Sequence, residues 1–169
     1  MAELIAYFSR AGENYFSGAL RSVPVGNTEI AANLLHGITG AGLFKIEPIL
    51  SYSRDYNECI AQAREDQRRS ARPELKAYPD SLDDYDTIYL GYPNYWGTMP
   101  MPVFTFLEHF DFTGKTIRPF CTHEGSGLGR SESDIRRLCP GANVGQGLAL
   151  HGGSVARGED ALRKWCGRA

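Results

Sequence analysis

At 169 residues, against about 150 for a typical domain, the chain is expected to form a single domain over residues 1–169. Hydrophobic residues at 42% and charged residues at 22% match soluble globular proteins and exclude a disordered, collagenous or coiled-coil chain. With 18 Lys and Arg against 20 Asp and Glu, the net charge of -2 offers no chain-wide attraction to nucleic acid or to an anionic membrane.

Residues 4–9 are a short apolar run that breaks into a polar, glycine-containing stretch, the pattern of a buried first strand feeding a loop. From Asn27 or Thr28 onward, Ile30, Ala31, Leu34, Leu35 and Ile38 recur at helical spacing, and Gly37, Gly40 and Gly42 offer stop signals. Residues 43–50 alternate as a second strand, and Pro48, which cannot donate to a ladder, marks it as an edge. The charged residues 53–72 hold Tyr56, Ile60 and Ala63 at three- to four-residue spacing. This predicts an amphipathic helix whose basic face, Arg68 and Arg69 included, is solvated.

Residues 87–91 predict a third strand running into an aromatic loop, and residues 102–110 a helix with Pro102 in its first turn. A fourth strand is expected over 117–121, then a helix over 131–138 with a capping pattern from Ser131 to Asp134. Residues 144–150 and 154–165 supply a fifth strand and a closing helix. Five strands alternating with five helices predict a three-layer, doubly wound α/β domain whose parallel sheet is covered on both faces. No internal repeat or linker divides it.

Cys59, Cys121, Cys139 and Cys166 contain no CxxC pair, so they read as free thiols in a reducing compartment rather than a zinc cage or a disulfide frame. The opening residues lack the basic flank and the apolar length of a signal peptide. No segment stays apolar for the roughly 20 residues a membrane span needs. A cytoplasmic location is the expectation.

In doubly wound sheets, ligands bind beyond the carboxyl ends of the strands, which singles out the loops after strands one, three and four. The first holds Ser9-Arg10-Ala11-Gly12 and then Gly26-Asn27-Thr28-Glu29 at a helix start, whose free N–H groups and positive end favour a phosphate. Taken alone, an ordinary N-cap by Asn27 or Thr28 is the simpler account of that stretch. The second loop packs Tyr92, Tyr95 and Trp96 among Pro93, Asn94 and Gly97, an aromatic density that a flat ligand ring would explain, as would cover for the core edge. The third, Thr122-His123-Glu124-Gly125-Ser126-Gly127, has a backbone that can approach a ligand closely. Its adjacent His123 and Glu124 suit a ligand edge better than acid–base catalysis.

Together these segments resemble the flavodoxin-like family, in its short-chain, FMN-binding form. The motifs that carry the resemblance are Tyr7-Phe8-Ser9-Arg10, Gly26-Asn27-Thr28, residues 91–100 from Gly91-Tyr92-Pro93-Asn94 onward, and residues 119–127. The resemblance implies strand order 2-1-3-4-5 and a non-covalent FMN. It implies that Ser9, Arg10, Gly26, Asn27 and Thr28 hold the phosphate, with Arg10 neutralising part of its charge. Pro93, Asn94, Tyr95, Trp96 and Gly97 would flank the isoalloxazine, with residues 94–98 as a flexible backbone contact to its reducible edge. Thr122, Glu124, Gly125, Ser126 and Gly127 would line its other side, with His123 a further candidate. No catalytic side chain and no metal are expected, because the flavin carries the redox chemistry.

Two departures stand out. Residues 13–25, including Asn14, Tyr15 and Phe16, interrupt what is usually one compact phosphate loop, and are expected to lie over the cofactor as a flap. The near-neutral charge also differs from dedicated flavodoxins, which are strongly acidic and dock on basic redox proteins. The resemblance implies electron transfer between redox protein partners, with no role for nucleic acid or membrane. The alternative is an NAD(P)H-dependent FMN oxidoreductase of the quinone-reductase type, whose open pocket Tyr15 and Phe16 would line.

Overall fold

Leu4, Ala6 and Phe8 pack into one hydrophobic cluster while Ile5 and Tyr7 pack into another, and all five are buried. Successive strand residues face opposite sides, so a run that is apolar at every position demands helices over both faces. In the computed structural model of the chain, which describes residues 2–16 and 18–168, this run is β1 (Ala2–Tyr7). It lies inside a parallel sheet, between β4 (Gly42–Lys45) and β5 (Tyr85–Pro93), with Ile5 opposite both Leu43 and Tyr89. β6 (Thr116–His123) follows β5, and β7 (Asn143–Val144) and β8 (Leu148–His151) both pair with β6. The order 2-1-3-4-5 is therefore met, with the fifth strand in two pieces.

α1 (Asn27–Thr39) and α5 (Glu159–Cys166) cover one face, burying Ala31, Ala32, Leu35 and Leu162 against Ile5, Tyr89 and Phe120. α3 (Met101–His109) and α4 (Ser131–Leu138) cover the other with Val103, Phe106, Leu107 and Ile135. α2 (Tyr56–Arg68) packs beside α3. Each fully buried Val, Leu, Ile or Phe among these contributes about 1.5–3 kcal/mol, so both faces are needed for the fold.

Several elements differ from the expectations. The second strand stops at Lys45, after which Pro48 makes only an isolated bridge to Leu75. The fifth strand breaks at Gly145-Gln146-Gly147: Ile117 pairs with Val144 but Phe120 with Leu148, so the outer strand carries one extra residue, a bulge. The closing helix is preceded by a 3-10 turn over Gly152–Arg157. Ser131 is not a cap: its hydroxyl is buried, donates to Leu128 O at 2.6 Å and accepts from the Tyr92 hydroxyl at 2.8 Å. The interruption after β1 is a hairpin of β2 (Gly12–Phe16) and β3 (Ala19–Val23), antiparallel and separate from the main sheet. Its Glu13 fastens it to α2, donating its N–H to Arg54 O at 2.9 Å and accepting the Tyr56 N–H on its carboxylate at 3.0 Å.

All four cysteines are free and buried. Among the described residues no helix is long and apolar enough to cross a membrane, and no group of three or more His, Cys, Asp or Glu side chains is placed to hold a metal.

Candidate functional site

The carboxyl ends of β1, β5 and β6 open into a cleft of about 340 Å³, within the size range of small-molecule sites. Its first wall forms where the chain leaves β1. The residue before α1 is Gly26, and a Cβ there would lie 2.3 Å from Ser9 Oγ and 2.5 Å from Arg10 O, so only glycine lets the two segments touch. Gly26 has no side chain to cap the helix, and Ser9 does the task from a distance, its Oγ accepting the Glu29 N–H at 3.0 Å. Asn27 and Thr28 are thus the first two helical residues rather than the N-cap. Their N–H groups stand at the open, positive end of the helix. The Thr28 hydroxyl is buried and bonded to the Thr122 hydroxyl at 2.8 Å, which ties α1 to the end of β6.

Arg10 is held by its own surroundings. Its Nε donates to Ser53 O at 2.9 Å and Nη1 to Glu13 O and, at 3.4 Å, to Asn14 Oδ1. Nη2 is buried with no hydrogen-bond partner among the described residues. An orphaned guanidinium N–H facing the hairpin and α2 side of the cleft is a ready donor to an anionic or carbonyl oxygen.

The aromatic loop is a tight turn, not a flexible one. Tyr95 and Thr98 exchange backbone hydrogen bonds at 2.8 and 3.3 Å around Trp96 and Gly97, whose φ angles of +54° and +87° mark a type I′ turn. Gly97 N–H donates to Asn94 Oδ1 at 2.9 Å, and Gly97 O accepts the Arg130 N–H at 2.8 Å. The expected mobile backbone contact is therefore braced on both sides. Tyr95 packs edge-on against Phe8 and Tyr52, with ring centroids 5.8 and 6.2 Å away, so it covers the core as well as lining the cleft. Trp96 is 43% exposed and docks on α2: its Nε1 donates to Ile60 O at 2.8 Å while the Arg64 guanidinium sits 4.8 Å from its ring.

Asn94 braces the second loop against the third, donating its N–H to Thr122 O at 2.9 Å and its side-chain amide to Gly127 O at 2.8 Å. Thr122, His123, Glu124 and Ser126 line the cleft, whereas the expected Gly26, Gly125 and Gly127 do not. His123 Nδ1 accepts the Gly125 N–H at 2.8 Å. Burial, and then the neighbouring His151, lower the His123 pKa, with Glu124 opposing them.

The α2 wall was not foreseen as part of the site: Tyr56, Cys59, Ile60 and Ala63 line the cleft from one face of that helix. From the expected flap, Asn14 and Tyr15 line the cleft, whereas Phe16 does not and instead packs under the Arg21 guanidinium, 4.3 Å from its ring centroid. Tyr15 lies beside Tyr56 with ring centroids 6.2 Å apart. The helical spacing of Tyr56, Ile60 and Ala63 was legible, but it does not say which surface that face meets. The Cys59 thiol is pushed up in pKa by burial and points to the Tyr95 hydroxyl 3.9 Å away.

A family model described as flavodoxin matches residues 3–169. The chain belongs to the flavodoxin family. Among solved structures, this flavodoxin is similar to a candidate flavoprotein from Bacteroides eggerthii, at 28% identity, TM-score 0.79 and coverage of 98% of this chain and 96% of that one. A second candidate flavoprotein, from Bacteroides uniformis, matches at 29% identity and TM-score 0.77, covering 99% and 98% of the two chains. A flavoprotein from Lactobacillus acidophilus, solved in complex with FMN, shares the fold at 19% identity and TM-score 0.67, with 98% of each chain covered. No curated protein matches the chain. The flavodoxin fold accounts for the position of the cleft, which lies where the strand order reverses between β1 and β5. Flavodoxin is itself a standard illustration of ligand binding at such a switch point, so the topology and the family are not independent supports for the site.

Proposed function

We propose that this flavodoxin binds FMN non-covalently and passes electrons through it between redox protein partners. The observation that carries the reading is one cleft with two unlike ends. At one end the open start of α1 suits a phosphate; towards the hairpin and α2, Tyr15, Tyr56, Tyr95 and Trp96 offer apolar surface for a flat ring, with the unpartnered Arg10 Nη2 as a cationic donor on that side. The FMN held by the Lactobacillus acidophilus flavoprotein supports the same ligand here.

When bound, FMN supplies the redox chemistry. The chain's residues bind and orient it. The N–H groups of Asn27 and Thr28 would hold the phosphate, and Arg10 would donate from the hairpin side. Pro93 to Gly97 and the α2 face would flank the ring and keep water from it, Thr122, His123 and Ser126 would border its other side, and Glu124 would stand nearer the start of α1. Ser9 and Gly26 act indirectly, by keeping the helix end open and in place. With a net charge of -2, docking on a partner rests more on surface shape than on long-range attraction.

A second reading is an NAD(P)H-dependent FMN oxidoreductase with a quinone-type acceptor. Tyr15 favours it, because this 41% exposed hairpin residue faces Tyr56 across an added wall that a bare electron carrier does not need. The test mixes purified protein with excess FMN, desalts it and records the visible spectrum, then supplies NAD(P)H aerobically. Retained flavin bands without steady NAD(P)H oxidation are expected. Steady oxidation by the protein alone would move the function to the enzyme, and a colourless protein would refute both.

A further inference from the structure

His151 stands outside every role assigned so far. The parallel register of β6 and β8 sets it directly opposite His123, with the two ring centroids 5.8 Å apart. Both rings are held in the same way. Gly125 N–H donates to His123 Nδ1 at 2.8 Å, and Gly153 N–H donates to His151 Nδ1 at 3.2 Å. An imidazole that accepts on Nδ1 carries its proton on Nε2. In His151 that nitrogen lies 3.1 Å from Glu124 Oε2.

Glu124 is the anomaly that gives this arrangement meaning. Both of its carboxylate oxygens are buried, and neither has a hydrogen bond among the described residues; His151 approaches within ion-pair distance but off the line of a bond. A buried carboxylate without donors is costly to keep, so such a group points to donors that arrive with a ligand. Glu124 lines the cleft. It also sits beside the start of α1: a Cβ on Gly152 would lie 2.5 Å from Asn27 Nδ2 and 3.1 Å from Glu124 Oε1. The carboxylate thus lies next to the phosphate end of the cleft, where its charge repels a phosphate and can accept only N–H or O–H groups.

We infer that Glu124 accepts hydrogen bonds from the hydroxyl groups of the ligand's sugar-alcohol chain, and that His151 is the positioning residue that holds the carboxylate aimed at them. The inference rests on the FMN reading, and within it the choice of hydroxyls follows from place. A flavin mononucleotide offers two kinds of donor, the ring imide and the hydroxyls of the chain joining ring to phosphate. A carboxylate beside Asn27 is at the joining chain. His151 contributes by setting its Nε2 3.1 Å from Oε2, a polar contact that confines the carboxylate on that side without satisfying it.

Binding of three flavins to the flavin-free protein, followed by quenching of flavin fluorescence, tests this. FMN carries the chain and the phosphate, riboflavin the chain alone, and lumiflavin neither. Glu124→Gln is expected to weaken FMN and riboflavin about tenfold or more, the scale of a lost charge-assisted hydrogen bond, and to leave lumiflavin within about twofold. His151→Ala follows the same pattern more weakly. His151→Gln, which keeps an N–H donor, restores most of the loss, a rescue that a merely structural residue would not show. Without flavin, Glu124→Gln melts no lower than the wild type, since it removes an unbonded buried charge.

Equal weakening of lumiflavin and riboflavin would place Glu124 at the ring and overturn the inference. So would unchanged binding of all three, or a Glu124→Gln protein that melts well below wild type. A wild-type protein that binds none of the three would overturn the FMN reading itself, and the inference with it.

Discussion

Gly26→Ala is the sharpest test of how this site is built. The backbone at Gly26, with φ of -71° and ψ of 160°, is open to any residue, so alanine meets no conformational penalty there. The added methyl would instead lie 2.3 Å from Ser9 Oγ, 2.5 Å from Arg10 O and 2.9 Å from Arg10 C. A hydroxyl can rotate away, but the Arg10 carbonyl is backbone and must move, taking the β1–hairpin junction with it. Overpacking of this kind costs about 1–3 kcal/mol. For a chain of 169 residues, a loss near the middle of that range lowers the melting temperature by about 4–8 °C.

The same displacement pulls Ser9 Oγ off the Glu29 N–H and shifts the Arg10 backbone beside the start of α1, so FMN affinity falls by about tenfold or more. Far-UV circular dichroism melts and flavin-quenching titrations read the two effects. Gly37→Ala serves as the control, because it lies inside α1 with nothing within 4 Å of its added Cβ. It is expected to stabilise by about 0.5–1 kcal/mol, as alanine does over glycine in a helix, with FMN affinity unchanged. A Gly26→Ala protein that melts within about 1 °C of wild type and binds FMN equally well would refute the close-approach argument.

Thr28→Val leaves the buried Thr122 hydroxyl without its partner at 2.8 Å, at a cost of about 1–3 kcal/mol in chemical denaturation. Thr28→Val with Thr122→Val should cost less than the two single changes summed, and strict additivity would show that the pair does not interact. Burial pushes the Cys121 thiol up to about 12 and Cys139 up to about 11, from an ordinary value of 9.0. Because the folded values are the higher ones, their stabilisation is whole below pH 9 and is lost as pH rises from there toward 11 and 12. Each thiol then removes about 1.4 kcal/mol per pH unit. Urea melts between pH 8 and pH 11 should show this decline, and a Cys121→Ala, Cys139→Ala protein should show a shallower one. Gly97→Ala places a side chain at φ of +87°, which costs about 1–2 kcal/mol. An unchanged melting temperature in that variant would mean that the Tyr95–Thr98 turn relaxes freely.

The alternation of strands and helices, the two-sided sheet and the three ligand-facing loops were legible in the sequence because each depends on local periodicity. An apolar run such as residues 4–8 buries both faces wherever it lies, and the end of a parallel strand is a loop at a predictable edge. Tertiary structure decided what is joined across distance. Ser9 caps a helix that starts well beyond a hairpin, and it can do so only because Gly26 lets the two segments meet. The α2 face that reads as ordinary amphipathic surface becomes a cleft wall because Glu13 pins the hairpin to its first turn. Gly18, which takes φ of +93° between β2 and β3, was a turn signal for that hairpin that composition alone did not make decisive. Most tellingly, His151 meets His123 and Glu124 through one extra residue in the outer strand: an unbulged ladder from the Ile117–Val144 pair would set Leu150 there instead. A residue's own face follows from its neighbours in sequence, whereas its partner on the next strand follows from register, and register is a property of the packed sheet.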